Sequence, residues 1–185
     1  LFLPIVPDST KKYSFDEAYE LMLKATAILG EDYTALVKRS HEERWCDVYP
    51  KQGKVSGAYS TGVYDVHPYM LLNYNGTLDD VFTLLHETGH SMHSYYSDHT
   101  QPFIYSDYTL FCAEVASTTN EMLGYVRDAA ALVVEEPGLN SHAAIVGNSL
   151  LKPTIVGAAG ACSHIRDGLD IAVDCAHGSV QRLQA

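Results

Sequence analysis

The 185 residues carry 23 Asp and Glu against 12 Lys and Arg, a formal net charge of −11 at pH 7. Such an acidic surface repels nucleic acid and anionic membrane, and neither is expected as a partner. No run approaches the roughly 18 apolar residues of a membrane span, and the apolar start Leu1–Val6 is too short, and lacks the basic lead, of a signal peptide.

In chain order, Ser14-x-x-Glu17 forms a capping box that opens a helix running to Gly30. Ala18, Leu21, Met22, Ala25 and Ile28 fall on one of its faces. A second helix is expected from Asp32 to Trp45, with Leu36 and Val37 inside. Between Val55 and Tyr74, the β-formers Tyr59, Val63, Tyr64, Tyr69 and Leu71 predict strands, broken by Gly57, Gly62 and Pro68. Such a hairpin either offers a free edge to an extended peptide or is covered and purely structural. Asn75-Gly76 then marks a turn, with Thr77 as an N-cap and Asp79 and Asp80 in the first helical turn. Val81, Leu84, Leu85, Thr88 and Met92 keep helical spacing, with no proline before Pro102. The fold class expected is mainly α with a small antiparallel β-sheet.

Midway along that helix lies His86-Glu87-Thr88-Gly89-His90. Residues four apart on a helix stand one above the other, about 6 Å along the axis, so two neutral imidazoles can share one zinc ion. Glu87 lies about 100° around from His86, beside the ion rather than at it, where a general base for an activated water belongs. Gly89 costs about 1 kcal/mol of helix propensity against Ala. Its presence implies that another backbone or the ion approaches closely there.

A catalytic zinc takes three protein ligands. A further helix is expected over Tyr108–Leu123, and it places Glu114 and Glu121 seven apart on one face, with Thr118 between them. Glu114 is then a candidate ligand and Glu121 a candidate partner for a ligand histidine. Asp98, His99 and Asp107 compete for the ligand role, and a merely solvated helix face is the plain alternative for Glu114. His93 is three residues beyond His90 and is either a fourth ligand or, since its ring lies some 10 Å along the axis from His86, a packing residue. Tyr95, Tyr96, Tyr105 and Tyr108 either line a cleft or pack at a helix end.

Three stretches together carry a family resemblance. They are Gly57-Ala58-Tyr59-Ser60, His67 to Asn73, and Asp79 to Tyr96 with the His-Glu-x-x-His run inside it. Gln101 to Tyr108 and Ala113-Glu114-Val115-Ala116-Ser117-Thr118-Thr119-Asn120-Glu121 extend it. The chain resembles the oligoendopeptidase F branch of the thimet-oligopeptidase-like zinc peptidases, nearly unbroken from about Leu3 to Glu121. The resemblance implies zincin-type catalytic helices in a partial domain, one Zn²⁺ held by His86, His90 and Glu114, and Glu87 as the residue that activates water. It also implies oligopeptide substrates cut at internal bonds. The rival readings are a catalytically incompetent fragment, acting at most as a metal-binding or interaction module, and a carboxypeptidase-like cousin.

The resemblance divides the chain into residues 1–121, a partial catalytic domain, and residues 122–185, a tail without the family's later His- and Tyr-bearing segment. The tail holds Tyr125 as its one aromatic residue, and His142, His164 and His177 stand isolated in it. Its thin complement of large side chains implies a marginal core and a truncated, frame-shifted or unrelated segment. The start on Leu1 implies a piece of a longer protein. Cys46, Cys112, Cys162 and Cys175 lack metal-binding spacing and are expected as free thiols in a cytoplasmic protein. Cys112, about 200° around its helix from Glu114, is expected to pack away from the metal.

Overall fold

The computed structural model describes residues 11–126, 129–138, 144, 147–148, 151–166 and 169–183. They divide into two compact units, Leu1–Gly124 and Tyr125–Ala185. His142 and the opening ten residues lie outside the described residues.

In the first unit, α1 (Phe15–Thr26) starts on the expected capping box. The Glu17 backbone N–H donates to Ser14 Oγ at 3.2 Å, and the Ser14 N–H donates to Glu17 Oε2 at 2.7 Å. Ala18, Tyr19, Met22 and Ala25 are buried, whereas Leu21 and Ile28, expected on the same face, are exposed. Helix α2 (Glu31–Glu42) stops three residues earlier than expected. Arg44 has a left-handed φ of 58°, which swings Trp45 out of helical register and into the core, stacked between His67 and Tyr95.

A three-stranded sheet follows: β1 (Cys46–Asp47), β2 (Tyr59–Val63) and β3 (Val66–Leu71), in the order β1-β3-β2. The β2–β3 hairpin is antiparallel as expected, but β1 runs parallel to β3, so the sheet is mixed. Gly62 and Pro68, expected to break strands, sit inside them. Pro68 is tolerated because β1 pairs with β3 only from Met70 onward and the β2 register shifts between Thr61 and Val63. Gly62 is required because a Cβ there would lie 2.9 Å from Ser94 Cβ and 3.2 Å from Asp98 Oδ2.

Helix α3 (Leu78–Thr100) begins on a second capping box, in which Thr77 Oγ1 accepts from the Asp80 N–H at 3.1 Å and Asp80 Oδ2 accepts from the Thr77 N–H at 2.8 Å. Helix α4 (Leu110–Val126) lays Ala113, Ser117, Asn120 and Leu123 inward. These side chains are small for a core stripe, and they let α3 and α4 come close. A Cβ on Gly89 would lie 2.7 Å from both the Ala116 carbonyl oxygen and Ser117 Cα. Asn120 ties the two helices to α2: its Nδ2 donates to the Leu85 carbonyl at 3.3 Å, and Tyr33 Oη donates to its Oδ1 at 2.9 Å.

The second unit contains β4 (Leu132–Val133) paired in parallel with β5 (Thr154–Ile155), a short helix α5 (Ala161–His164), and a hairpin of β6 (Ile171–Asp174) and β7 (Ser179–Arg182). Its described buried residues are Val126, Gly147 and Ile155, a thin core. His164 Nδ1 lies 2.6 Å from the Gly160 carbonyl oxygen, and His177 Nδ1 lies 2.7 Å from Asp174 Oδ2, so both serve local turns.

Candidate metal centre

Helix α3 presents His86 and His90 on one face, with ring centroids 4.8 Å apart and planes nearly perpendicular. Helix α4 brings Glu114 to them: its Oε2 lies 3.5 Å from His86 Nε2 and 3.9 Å from His90 Nε2. The three donor atoms all fall within 4.8 Å of one another, so this group can hold a metal ion. A tetrahedral ion with bonds of about 2.1 Å spaces its ligands about 3.4 Å apart. The contacts of Glu114 are close to that spacing already.

The supports around these donors favour the same use. His86 Nδ1 lies 3.2 Å from Glu121 Oε2, which fixes the proton on Nδ1 and leaves the Nε2 lone pair facing Glu114. Ser117, fully buried, donates its hydroxyl to Glu114 Oε2 at 2.9 Å. His90 has its pKa lowered by burial and then by the neighbouring His86, both of which favour the neutral ring that a metal requires.

Glu87 is buried against β2, and its Oε2 has no hydrogen-bond partner. Burial raises its pKa; His86 and the Ser60 backbone N–H pull it down, and the Glu114 charge pushes it up. A carboxylate with raised proton affinity and an unoccupied oxygen suits a proton acceptor. Ser60 Oγ lies 2.8 Å from Ser91 Oγ, which pins this part of β2 to α3.

Of the competing ligands, none joins the group. His93 stacks on Tyr108 at 3.9 Å between centroids, as a packing residue would. His99 stacks on Tyr95, while Asp98 and Asp107 line a cleft of about 520 Å³ that also reaches His90 and Glu114. Of the four tyrosines weighed, Tyr108 lines that cleft; Tyr95 and Tyr96 stack on other rings and Tyr105 is exposed. Cys112 is exposed rather than packed, with the Thr109 hydroxyl 3.5 Å from its Sγ. Ser117 and Ser60 were missed in the sequence; the only signal for Ser117 was its position one turn beyond Glu114.

A family profile described as "Peptidase family M3" matches residues 8–141. The chain belongs to peptidase family M3. Within M3, it is 50% identical over 123 residues to Oligopeptidase PepF of Bacillus subtilis (strain 168), which covers 66% of this chain and 18% of that relative. It is 52% identical over 110 residues to the chromosomal Oligoendopeptidase F of Lactococcus lactis subsp. cremoris, covering 60% of this chain and 18% of the relative. A solved structure of a Chlamydophila abortus protein superposes with a TM-score of 0.60 at 50% identity, over 63% of this chain and 20% of the other. PZ peptidase A with an inhibitor superposes with a TM-score of 0.54 at 28% identity, over 62% and 20%. The M3 chain therefore spans about a fifth of the length of the relatives it matches. A second profile, "PEP-utilising enzyme, mobile domain", matches residues 115–178 and overlaps the end of the M3 match. No helix among the described residues is long and apolar enough to cross a membrane.

Proposed function

We propose that this chain carries the metal centre of a zinc endopeptidase that hydrolyses internal bonds of oligopeptides, with His86, His90 and Glu114 as ligands of one Zn²⁺. The observation that carries this reading is the convergence of two imidazole nitrogens and one carboxylate, with a buried, partnerless carboxylate oxygen beside them. When bound, the ion supplies Lewis acidity, polarising the scissile carbonyl and lowering the pKa of a water. Glu87 accepts the proton of that water and passes it to the departing amine. Glu121 holds the His86 ring in the tautomer that presents Nε2, and Ser117 holds the Glu114 carboxylate toward the histidines. Strand β2, the outer strand of its sheet, offers backbone groups along which an extended peptide can lie. The imidazole-and-carboxylate donor set is one that suits zinc.

Residues 122–185 are read as a segment foreign to the peptidase half, although the M3 match runs on to residue 141. In support, a compact unit begins at Tyr125 and the second family profile covers most of this stretch. The reducing interior of a cell suits the four free thiols and the cytoplasmic assignment.

The test is metal content and peptide cleavage of this chain and its Glu87→Gln variant. Zinc should bind both in a one-to-one ratio, while cleavage falls by about 10²-fold or more in the variant. Loss of zinc from Glu87→Gln would place that residue among the ligands instead. Zinc binding without cleavage by either protein would leave the metal-binding module as the better reading.

A further inference from the structure

The cleft beside the metal centre runs along α3 between the helix and β2, and its far end holds a carboxylate that has no assigned role. Asp98 is nine-tenths buried and lines the cleft together with Ser94, Tyr108, Gly62, His90 and Glu114. The other polar groups at that end are satisfied. Ser94 Oγ and Tyr108 Oη lie 2.5 Å apart, and the Asp107 carboxylate accepts from the Tyr108 N–H at 2.8 Å. Ser106 Oγ donates to the Phe103 carbonyl at 3.2 Å. No donor or cation among the described residues pairs with the Asp98 carboxylate. Its oxygens open into the cleft, where a bound cation would find a charge that no protein group already holds.

We propose that Asp98 is the anchor of a subsite for a basic side chain, lysine or arginine, of a bound peptide. This rests on the peptidase reading above and adds a specificity to it. The spacing of β2 sets the distance. Ser60 stands at the level of Glu87 and Ser91, and Gly62 at the level of Ser94 and Asp98. Two residues of strand span about 7 Å. A peptide lying along β2 with its scissile carbonyl at the histidines thus places the residue two positions away opposite Gly62. Asp98 is eight residues, about 12 Å, along α3 from His90, and the remaining distance is what a long basic side chain spans. Gly62 completes the subsite: any side chain there would press on Ser94 and cover Asp98 Oδ2. The chain's net charge of −11 draws cationic peptides toward the cleft as well.

Peptide hydroxamates fix the register, because the hydroxamate seats on the zinc. A series with lysine or norleucine placed one, two or three residues from the hydroxamate is titrated against the zinc-loaded chain by fluorescence anisotropy. The lysine ligand should bind about tenfold more tightly than its norleucine twin when the substitution is two residues away. Asp98→Asn, a near-isosteric change whose folding is verified by circular dichroism, should abolish that preference while leaving the norleucine ligand unaffected. Zinc-dependent binding with no lysine preference, or with a preference that survives in Asp98→Asn, overturns the subsite and leaves the peptidase reading intact. Hydroxamates that fail to bind in a zinc-dependent way overturn both.

Discussion

Replacing Gly89 with alanine sets two effects of known size against each other at the centre of the site. Alanine in place of glycine within a helix gains about 1 kcal/mol. Against this, the new Cβ would lie 2.7 Å from the Ala116 carbonyl oxygen and from Ser117 Cα, and both belong to a helix backbone that cannot rotate away as a side chain would. Relief to an ordinary contact requires α4 to retreat by roughly 0.5–0.7 Å, and overpacking of this kind costs about 1–3 kcal/mol. The net expectation is a loss of about 0–2 kcal/mol, less than the bare clash because the propensity gain offsets part of it. Glu114 rides on α4, so the same retreat lengthens its distances of 3.5 and 3.9 Å to the two histidines. Zinc affinity should fall by about tenfold or more. Urea denaturation of the metal-free chain and competition against a chromogenic chelator measure the two quantities separately. A variant that gains about 1 kcal/mol and holds zinc as well as the parent would mean that helix propensity governs the position and that the α3–α4 contact is slack.

Two further outcomes follow from the supports of the core and the site. Glu121→Gln keeps the shape of the side chain but removes the charge beside His86 Nδ1, and zinc affinity should fall by about 10-fold, read by the same chelator competition; an unchanged affinity would remove Glu121 from any role in orienting the ring. Burial pushes the Tyr19 hydroxyl from an ordinary 10.0 up to about 12, so its contribution to stability is complete below pH 10 and is lost as the pH rises toward 12. At about 1.4 kcal/mol per pH unit, this amounts to roughly 2.7 kcal/mol across that window. Tyr19→Phe should flatten the alkaline fall in melting temperature without abolishing it, because Tyr74 and Cys46 are raised to about 12 by burial too; an unaltered alkaline profile would refute the assignment to Tyr19.

What the sequence made legible was local and periodic. The capping box at Ser14, the Thr77 N-cap that opens α3 and the shared face of Glu114 and Glu121 depend on spacings of a few residues, which a helix converts directly into position. The misread features depend on distant partners. Leu21 is apolar at a helical spacing, yet it is exposed because α1 turns Tyr19 and Met22 inward instead. Trp45 reads as the end of a helix until Arg44 takes its left-handed conformation and His67 and Tyr95 receive the indole. The parallel pairing of β1 with β3 leaves no trace in a strand of two residues. Asp98 counted in the sequence only as a competing ligand, and its place beside Gly62 is set by residues 36 positions apart.

Unsatisfied polar atoms mark this site only in combination with geometry. Two buried side-chain atoms lack a hydrogen-bond partner among the described residues, Glu87 Oε2 and His93 Nδ1. Each breaks the rule that buried polar groups are paired, and by that test alone they are equal. What separates them is what lies around them. His93 is stacked on Tyr108, and burial alone lowers its pKa, as expected of a neutral ring packed in a helix bundle. Burial and the Glu114 charge raise the pKa of Glu87, while the His86 ring and a backbone N–H from β2 pull it down. These neighbours come from α3, α4 and the sheet, and two of them are members of the three-donor group. A packing accident does not need three elements to agree on one carboxylate. The cost of leaving that oxygen unpaired is offset only if something enters to use it, and under the proposed peptidase reading that occupant is the water whose proton Glu87 accepts.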